Sequence, residues 1–224
     1  MNPDVRRIAI FGPESTGKTR LAEGLAAHFG APWVPEYARE FWDAHGVITL
    51  EDIPGIAREQ WRREDAAAAA LQAHCNPLDD NIAAGVSEGG REAGHPIDDK
   101  SGGAVAGGGG LVFCDTEALT TVLWSDLLYG TTPDDVRRTA ERRAKNYALY
   151  LLLDIDAPFT PDPQRCFPDA GDRAKCRRIW HGALERRQLA YTWIRGGWAE
   201  RERTAIAAVE ALLKGGGSAG SGAH

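Results

Sequence analysis

The stretch "FGPESTGKTR", Phe11 to Arg20, decides the fold. It satisfies G-x-x-x-x-G-K-[ST] in full, with Gly12, Gly17, Lys18 and Thr19 at the four required places. Ile8 to Phe11 before it is a short apolar run, and Leu21, Leu25 and Phe29 after it recur at helical spacing. Strand, glycine loop and helix are the context an anion cradle needs. Loop N–H groups turn inward, and the helix N-terminus adds its partial positive charge at the same end.

Outward from that stretch, strands and helices alternate. A short second strand is expected at Trp33 and Val34, a helix from about Glu36 or Tyr37, and a long alanine-rich helix over 56–74. Residues 76–110 are glycine-rich with almost no periodic apolar positions, and read as a flexible insertion between two core elements. "LVFCDTE" (111–117) is an apolar run closing on Asp115, followed by a helix carrying Leu119, Val122, Leu123 and Leu127. In "TTPDDVRRTAERRAKN" (131–146), Thr132 is the expected N-cap, with Pro133 at the first helical position and Asp135 completing the box. "YALYLLLD" (147–154) suits a strand buried on both faces. A Pro-rich loop follows, then a helix to about Leu189, a strand at Tyr191 to Ile194, and a last helix over 198–213.

This order predicts an α/β fold in three layers, with a parallel five-stranded sheet flanked by helices. The expected organisation is one domain over 1–214, interrupted by the 76–110 insertion, and a flexible Gly/Ser tail at 215–224.

Composition narrows the function. A net charge of -6 over 224 residues, with Arg interleaved among Asp and Glu, argues against a nucleic-acid footprint. The four cysteines, Cys75, Cys114, Cys166 and Cys176, form no C-x-x-C pair and have no His at finger-like spacing, as expected of thiols in a reducing cytoplasm. No apolar run approaches the roughly 20 residues of a membrane span, and the first strand leaves no room for a signal peptide. A cytoplasmic protein is expected, with no nucleic-acid or membrane partner; its oligomeric state is not legible.

Candidate site residues fall at strand ends. Lys18 is placed to reach the β and γ phosphates, and Thr19 to set its hydroxyl on Mg2+. Asp115 stands where a carboxylate binds the metal or faces the nucleophile, although helix capping is a competing role for Asp115 or Thr116. Glu36 and Glu40 lie four apart beside Arg39, and Glu36 is placed to accept a substrate proton or hold a ribose diol. Tyr37 offers a ring for stacking. Arg165 and Arg173, in the Pro-rich loop, suit stabilisation of a transferring phosphoryl group. "RGGW" (195–198) resembles a turn that lets backbone approach an adenine.

A GTPase would need an N-K-x-D base reader and a D-x-x-G switch, neither of which occurs; an AAA+ motor would need more chain and sensor arginines in a helical lid. A small-molecule kinase fits the length and the loop after the fourth strand. "FGPESTGKT", "PEYARE" (35–40), "FCDTEALTTVLW" (113–124), "DPQR" (162–165) and Arg173 together resemble the NadR-type ribosylnicotinamide kinase family over nearly all the chain outside the insertion and tail. The resemblance implies a P-loop, nucleoside-monophosphate-kinase-like fold that moves the γ phosphate of ATP to the 5′-hydroxyl of nicotinamide riboside.

It further implies Gly12, Pro13, Glu14, Ser15, Thr16, Gly17, Lys18, Thr19 and Arg20 on ATP, with Thr19 and Asp115 at Mg2+. Glu36, Tyr37 and Arg39 are implied near the riboside, Asp115 and Thr116 at the reacting centre, and Arg165 and Arg173 in a lid. The base is Glu36 or Asp115. Pro163 stands where family members tend to have Gly in the lid, and no H-x-G-H motif occurs, so a second step to NAD is not expected. The alternatives are a kinase for another nucleoside or small alcohol, and a nucleotide-sensing module with little turnover.

Overall fold

Alternate residues of the first strand go to opposite cores. In the computed structural model, which describes residues 5–75 and 110–215, Ile8 and Ile10 face one helical layer, while Ala9 and Phe11 face the other. The elements run β1 (Arg6–Phe11), α1 (Lys18–Phe29), β2 (Trp33–Val34), α2 (Tyr37–His45), α3 (Ile53–Cys75), β3 (Leu111–Asp115), α4 (Ala118–Tyr129) and α5 (Asp134–Arg143). They continue with β4 (Tyr147–Leu153), α6 (Ala170–Glu185), β5 (Tyr191–Ile194) and α7 (Trp198–Gly215). The insertion expected at 76–110 lies outside the described residues apart from Gly110, and so does the tail beyond Gly215, which itself closes α7.

The strands form one five-stranded sheet in the order β2-β3-β1-β4-β5, every pair parallel. Helices α1 and α7 cover one face, packing Leu21, Leu25, Ala205 and Val209 on Leu149, Leu151 and Leu153. The other face carries α3 to α6, with Trp61, Leu119, Ala140 and Trp180 against Val112, Tyr150 and Leu152. Covering both faces explains why β3 and β4 are apolar almost throughout. No helix among the described residues is long and apolar enough to cross a membrane.

Two local expectations are corrected. Thr132 does not cap α5, which starts at Asp134 after Pro133. The Thr132 hydroxyl is buried and donates to the Asp126 carboxylate at 2.8 Å, so it ties the connection back to α4. The helix expected to reach Leu189 stops at Glu185, because Gln188 turns left-handed at φ 52° and the Leu189 N–H returns to the Leu184 carbonyl.

Candidate active site

β1 and β3 are direct neighbours, with Ile10 opposite Asp115, so the phosphate loop and the Asp115 carboxylate emerge side by side at the C-terminal edge of the sheet. The loop is tightly seated. Gly12 has φ 150° with Leu153 behind it, where a Cβ would come within 3.0 Å of the Leu153 carbonyl; Gly17, at φ 87°, lies equally close to the Trp198 ring. Neither position tolerates a side chain. Thr16 and Lys18 both donate to the Pro13 carbonyl, at 2.8 and 2.9 Å, and hold the loop curled around the helix start.

At the centre, the Thr19 hydroxyl donates to Asp115 Oδ2 at 2.5 Å. Among the described residues, Asp115 Oδ1 is buried without a hydrogen-bond partner, and so is the Thr116 hydroxyl. Thr116 has φ 75°, a costly conformation for a β-branched residue. Burial raises the Asp115 carboxyl to about 6, the Glu36 charge adds to the shift, and Lys18, the Thr19 hydroxyl and Arg39 pull against it. Capping of α4 falls to neither Asp115 nor Thr116: Glu117 caps it, accepting from the Leu119 and Thr120 N–H groups. That leaves Asp115 Oδ1 and the Thr116 hydroxyl with no role in capping α4.

This donor set fits Mg2+. A hydroxyl and one carboxylate, with an oxygen to spare, are what a phosphate-bound Mg2+ takes from protein, the remaining ligands being phosphates and waters. No group of three or more His, Cys, Asp or Glu able to hold a metal by itself occurs among the described residues.

Two cavities meet at the phosphate loop. The first, about 400 Å3, runs from Gly17–Arg20 past Glu36, Arg39 and Thr116 to an apolar end of Trp42, Ile48, Ile53, Ile56, Trp124 and Tyr129. Its aromatic end is fixed: Tyr129 donates its hydroxyl to the Ile48 carbonyl at 2.7 Å, and Trp124 stacks on Phe167. The second cavity lies between the phosphate loop, Asp156–Pro158 and the Gly196–Trp198 turn, with the Arg20 guanidinium 4.0 Å over the Trp198 ring.

The remaining expected residues divide. Arg165 lines both cavities, whereas Arg173 is drawn aside to the Ala157 carbonyl at 2.9 Å and the Phe159 ring, outside either lining. Tyr37 stands apart from the cavity, its ring under Arg63 and against Phe41, so its expected stacking role is not supported; Glu36 and Arg39 remain in the lining. Glu14, expected on the nucleotide, directs its carboxylate instead to the Cys166 and Phe167 N–H groups.

Sequence reasoning missed Arg201. It is 1% exposed and donates to the carbonyls of Thr16, Asp154 and Gly196, fastening the phosphate loop to the ends of β4 and β5. Its spacing from Ala205 and Val209 along the buried face of α7 was the available signal.

Comparison with known proteins agrees with this geometry. The family described as "AAA domain" matches residues 7–83 and 99–201. A crystal structure of NadR protein in complex with NR is similar at a TM-score of 0.62 and 19% identity, over 94% of this chain and 52% of that one. A second, of NadR protein with NAD and AMP-PNP, is similar at a TM-score of 0.59 and 19% identity, over 99% and 52%. The chain thus spans about half the length of these structures, and they share its fold. No curated protein matches. Glycine loop, parallel sheet and family match converge: the chain belongs to the AAA-domain family of P-loop nucleotide-binding proteins.

Proposed function

We propose that this chain is an ATP-dependent kinase that phosphorylates the 5′-hydroxyl of nicotinamide riboside, giving nicotinamide mononucleotide. The observation that carries the reading is the continuity of the first cavity, in which Lys18, Glu36 and an aromatic end line one space. A nucleotide sensor has no need of a second chamber opening onto the transferring phosphate. Two tryptophans and a tyrosine suit a flat cationic ring, because the negative faces of aromatic rings attract a pyridinium. The fold shared with a NadR protein solved with NR supports the same acceptor.

In this reading the triphosphate lies on the Gly12–Thr19 loop, its base in the second cavity by the Gly196–Trp198 turn. Lys18 leaves the Pro13 carbonyl for the phosphates. Glu36 takes the proton of the attacking hydroxyl, because it lines the acceptor cavity while one Asp115 oxygen is engaged by Thr19. Mg2+, when bound at Thr19 and Asp115, supplies charge neutralisation across the phosphate oxygens. Arg165 balances charge on the phosphoryl group in transit, and Arg39 steadies the acceptor beside Glu36. The protein works in the cytoplasm, where ATP is plentiful.

The test is ADP release with ATP and Mg2+ across nicotinamide riboside, other ribonucleosides, deoxynucleosides and no acceptor. Turnover requiring nicotinamide riboside and yielding its 5′-phosphate is expected. Preference for another acceptor removes the riboside assignment, and acceptor-independent hydrolysis removes the kinase.

A further inference from the structure

The arginine-bearing loop after β4 is tied down on two sides, and its tie to the phosphate loop runs largely through one side chain. Glu14 accepts the Phe167 N–H at 2.6 Å with one carboxylate oxygen and the Cys166 N–H at 3.1 Å with the other. Beside it, Ser15 Oγ accepts the Thr160 N–H at 2.7 Å and lies 3.4 Å from an Arg165 nitrogen. On the far side, Arg39 pairs with Asp162 at 3.2 Å and Gln164 donates to Asp43 at 2.8 Å, joining the same loop to α2. Arg165 sits between these ties, on the lining of both cavities.

A carboxylate is the wrong charge to touch a triphosphate. Bound to two backbone donors, however, it is compensated, and each such charge-assisted bond is stronger than a neutral one. The loop it holds is ordered by such side-chain ties rather than by regular structure: 160–169 contains no helix or strand, and Phe167 stacks on Trp124. Glu14 also sits in an anchored loop, since Arg201 donates to the carbonyl of Thr16 at 2.8 Å.

We propose that Glu14 is a positioning residue that latches the arginine loop to the phosphate loop and thereby sets Arg165 at the phosphate site. The inference rests on the kinase reading for its catalytic consequence, but the latch itself is a property of the free chain. Nucleotide binding and loop order are separate functions of one motif: the backbone and Lys18 hold phosphate, and the Glu14 side chain holds the loop.

The experiment compares the full-length chain with Glu14→Ala and Glu14→Gln, after melting curves confirm that both variants fold. Backbone amide exchange over 160–169 is followed by mass spectrometry, alongside the affinity for Mg2+ and AMP-PNP and steady-state kinetics. Loss of two charge-assisted bonds is expected to speed exchange at Cys166 and Phe167 about tenfold or more in Glu14→Ala, with a smaller effect in Glu14→Gln. AMP-PNP affinity should hold within about threefold while kcat falls about tenfold or more. The Glu14→Ala, Arg165→Ala double variant should be no slower than Arg165→Ala alone, because the latch acts through that arginine.

Unchanged exchange at those two amides overturns the latch. So does a loss of AMP-PNP affinity as large as the loss in kcat, which would make Glu14 a nucleotide ligand. If the unmodified protein transfers phosphate to no acceptor, the kinase reading falls while the exchange measurement still decides the latch.

Discussion

The Thr19 hydroxyl and the Asp115 carboxylate meet at 2.5 Å, joining the first turn of α1 to the end of β3 across 96 positions of sequence. The contact commits one oxygen of a buried carboxylate, and the other is buried with no hydrogen-bond partner among the described residues. Asp115→Asn keeps the shape and removes the charge that would hold Mg2+. It is expected to lower kcat by about 10²- to 10³-fold, the loss typical of a transition-state electrostatic group. Steady-state kinetics with the Mg2+ concentration varied will check this, and a variant of unchanged kcat would remove Asp115 from the metal.

Because burial and Glu36 hold the Asp115 carboxyl up at about 6, its ionised form is reached only above that pH. Affinity for Mg2+ with AMP-PNP should therefore rise as pH increases through about 6. Glu36→Gln removes a like charge and should move that midpoint to lower pH. Calorimetric titrations from pH 5 to 8 on both proteins will measure the shift; an upward move contradicts the assignment.

The same raised carboxyl costs the ligand-free fold stability. Its folded pKa exceeds the unfolded one, so the folded state binds more protons between about 4 and 6 and stability falls as pH rises through that window. Glu117 extends the slope: burial outweighs its two N–H partners and pushes it up to about 8. Melting temperature should thus decline from pH 5 to 8, and Glu117→Gln should flatten the decline. Glu117→Ala, which strips both the cap from α4 and the titrating carboxyl, should cost about 1–2 kcal/mol near pH 5, a cost that shrinks as pH rises towards 8. Thermal scans across that range distinguish the three proteins.

Trp124 forms part of the apolar end of the first cavity and stacks on Phe167. Trp124→Ala is expected to raise the acceptor KM by about tenfold or more, the value of a desolvated cation–π contact, and to leave the KM for ATP within about twofold. Equal changes in the two constants would mean that the acceptor binds elsewhere.

Most of the framework was legible because it is written in local patterns. The glycine loop between an apolar run and a helical period fixed β1 and α1, and short runs bounded by Pro or polar turns located β2 at Trp33–Val34 and β5 at Tyr191–Ile194. Lys18 and Thr19 were marked as candidates by the glycine-loop motif, and Glu36 and Asp115 by standing just beyond or at the ends of β2 and β3. What escaped were choices between competing partners, some near in sequence and some far. The Glu117 cap competed with two equally plausible neighbours, and the buried hydroxyl of Thr132 preferred Asp126 to its own helix. Nothing local says that Glu14 binds backbone 152 and 153 positions away, or that Arg173 turns to Ala157 while Arg165 faces the cavity.

The adjacency of β1 and β3 has an evolutionary consequence. On the kinase reading the phosphate loop and Asp115 hang from two neighbouring strands in the middle of the sheet and Arg165 from the loop after β4, whereas the far wall of the first cavity is drawn from α2, the 46–52 turn, α3 and α4. On that reading, substitutions at Trp42, Ile48 or Ile53 would retailor what is accepted without touching the groups that carry the phosphate. A scaffold divided in this way would, on the kinase reading, let acceptor preference diverge among descendants while their chemistry stays fixed, and makes those three positions the natural targets for changing the acceptor.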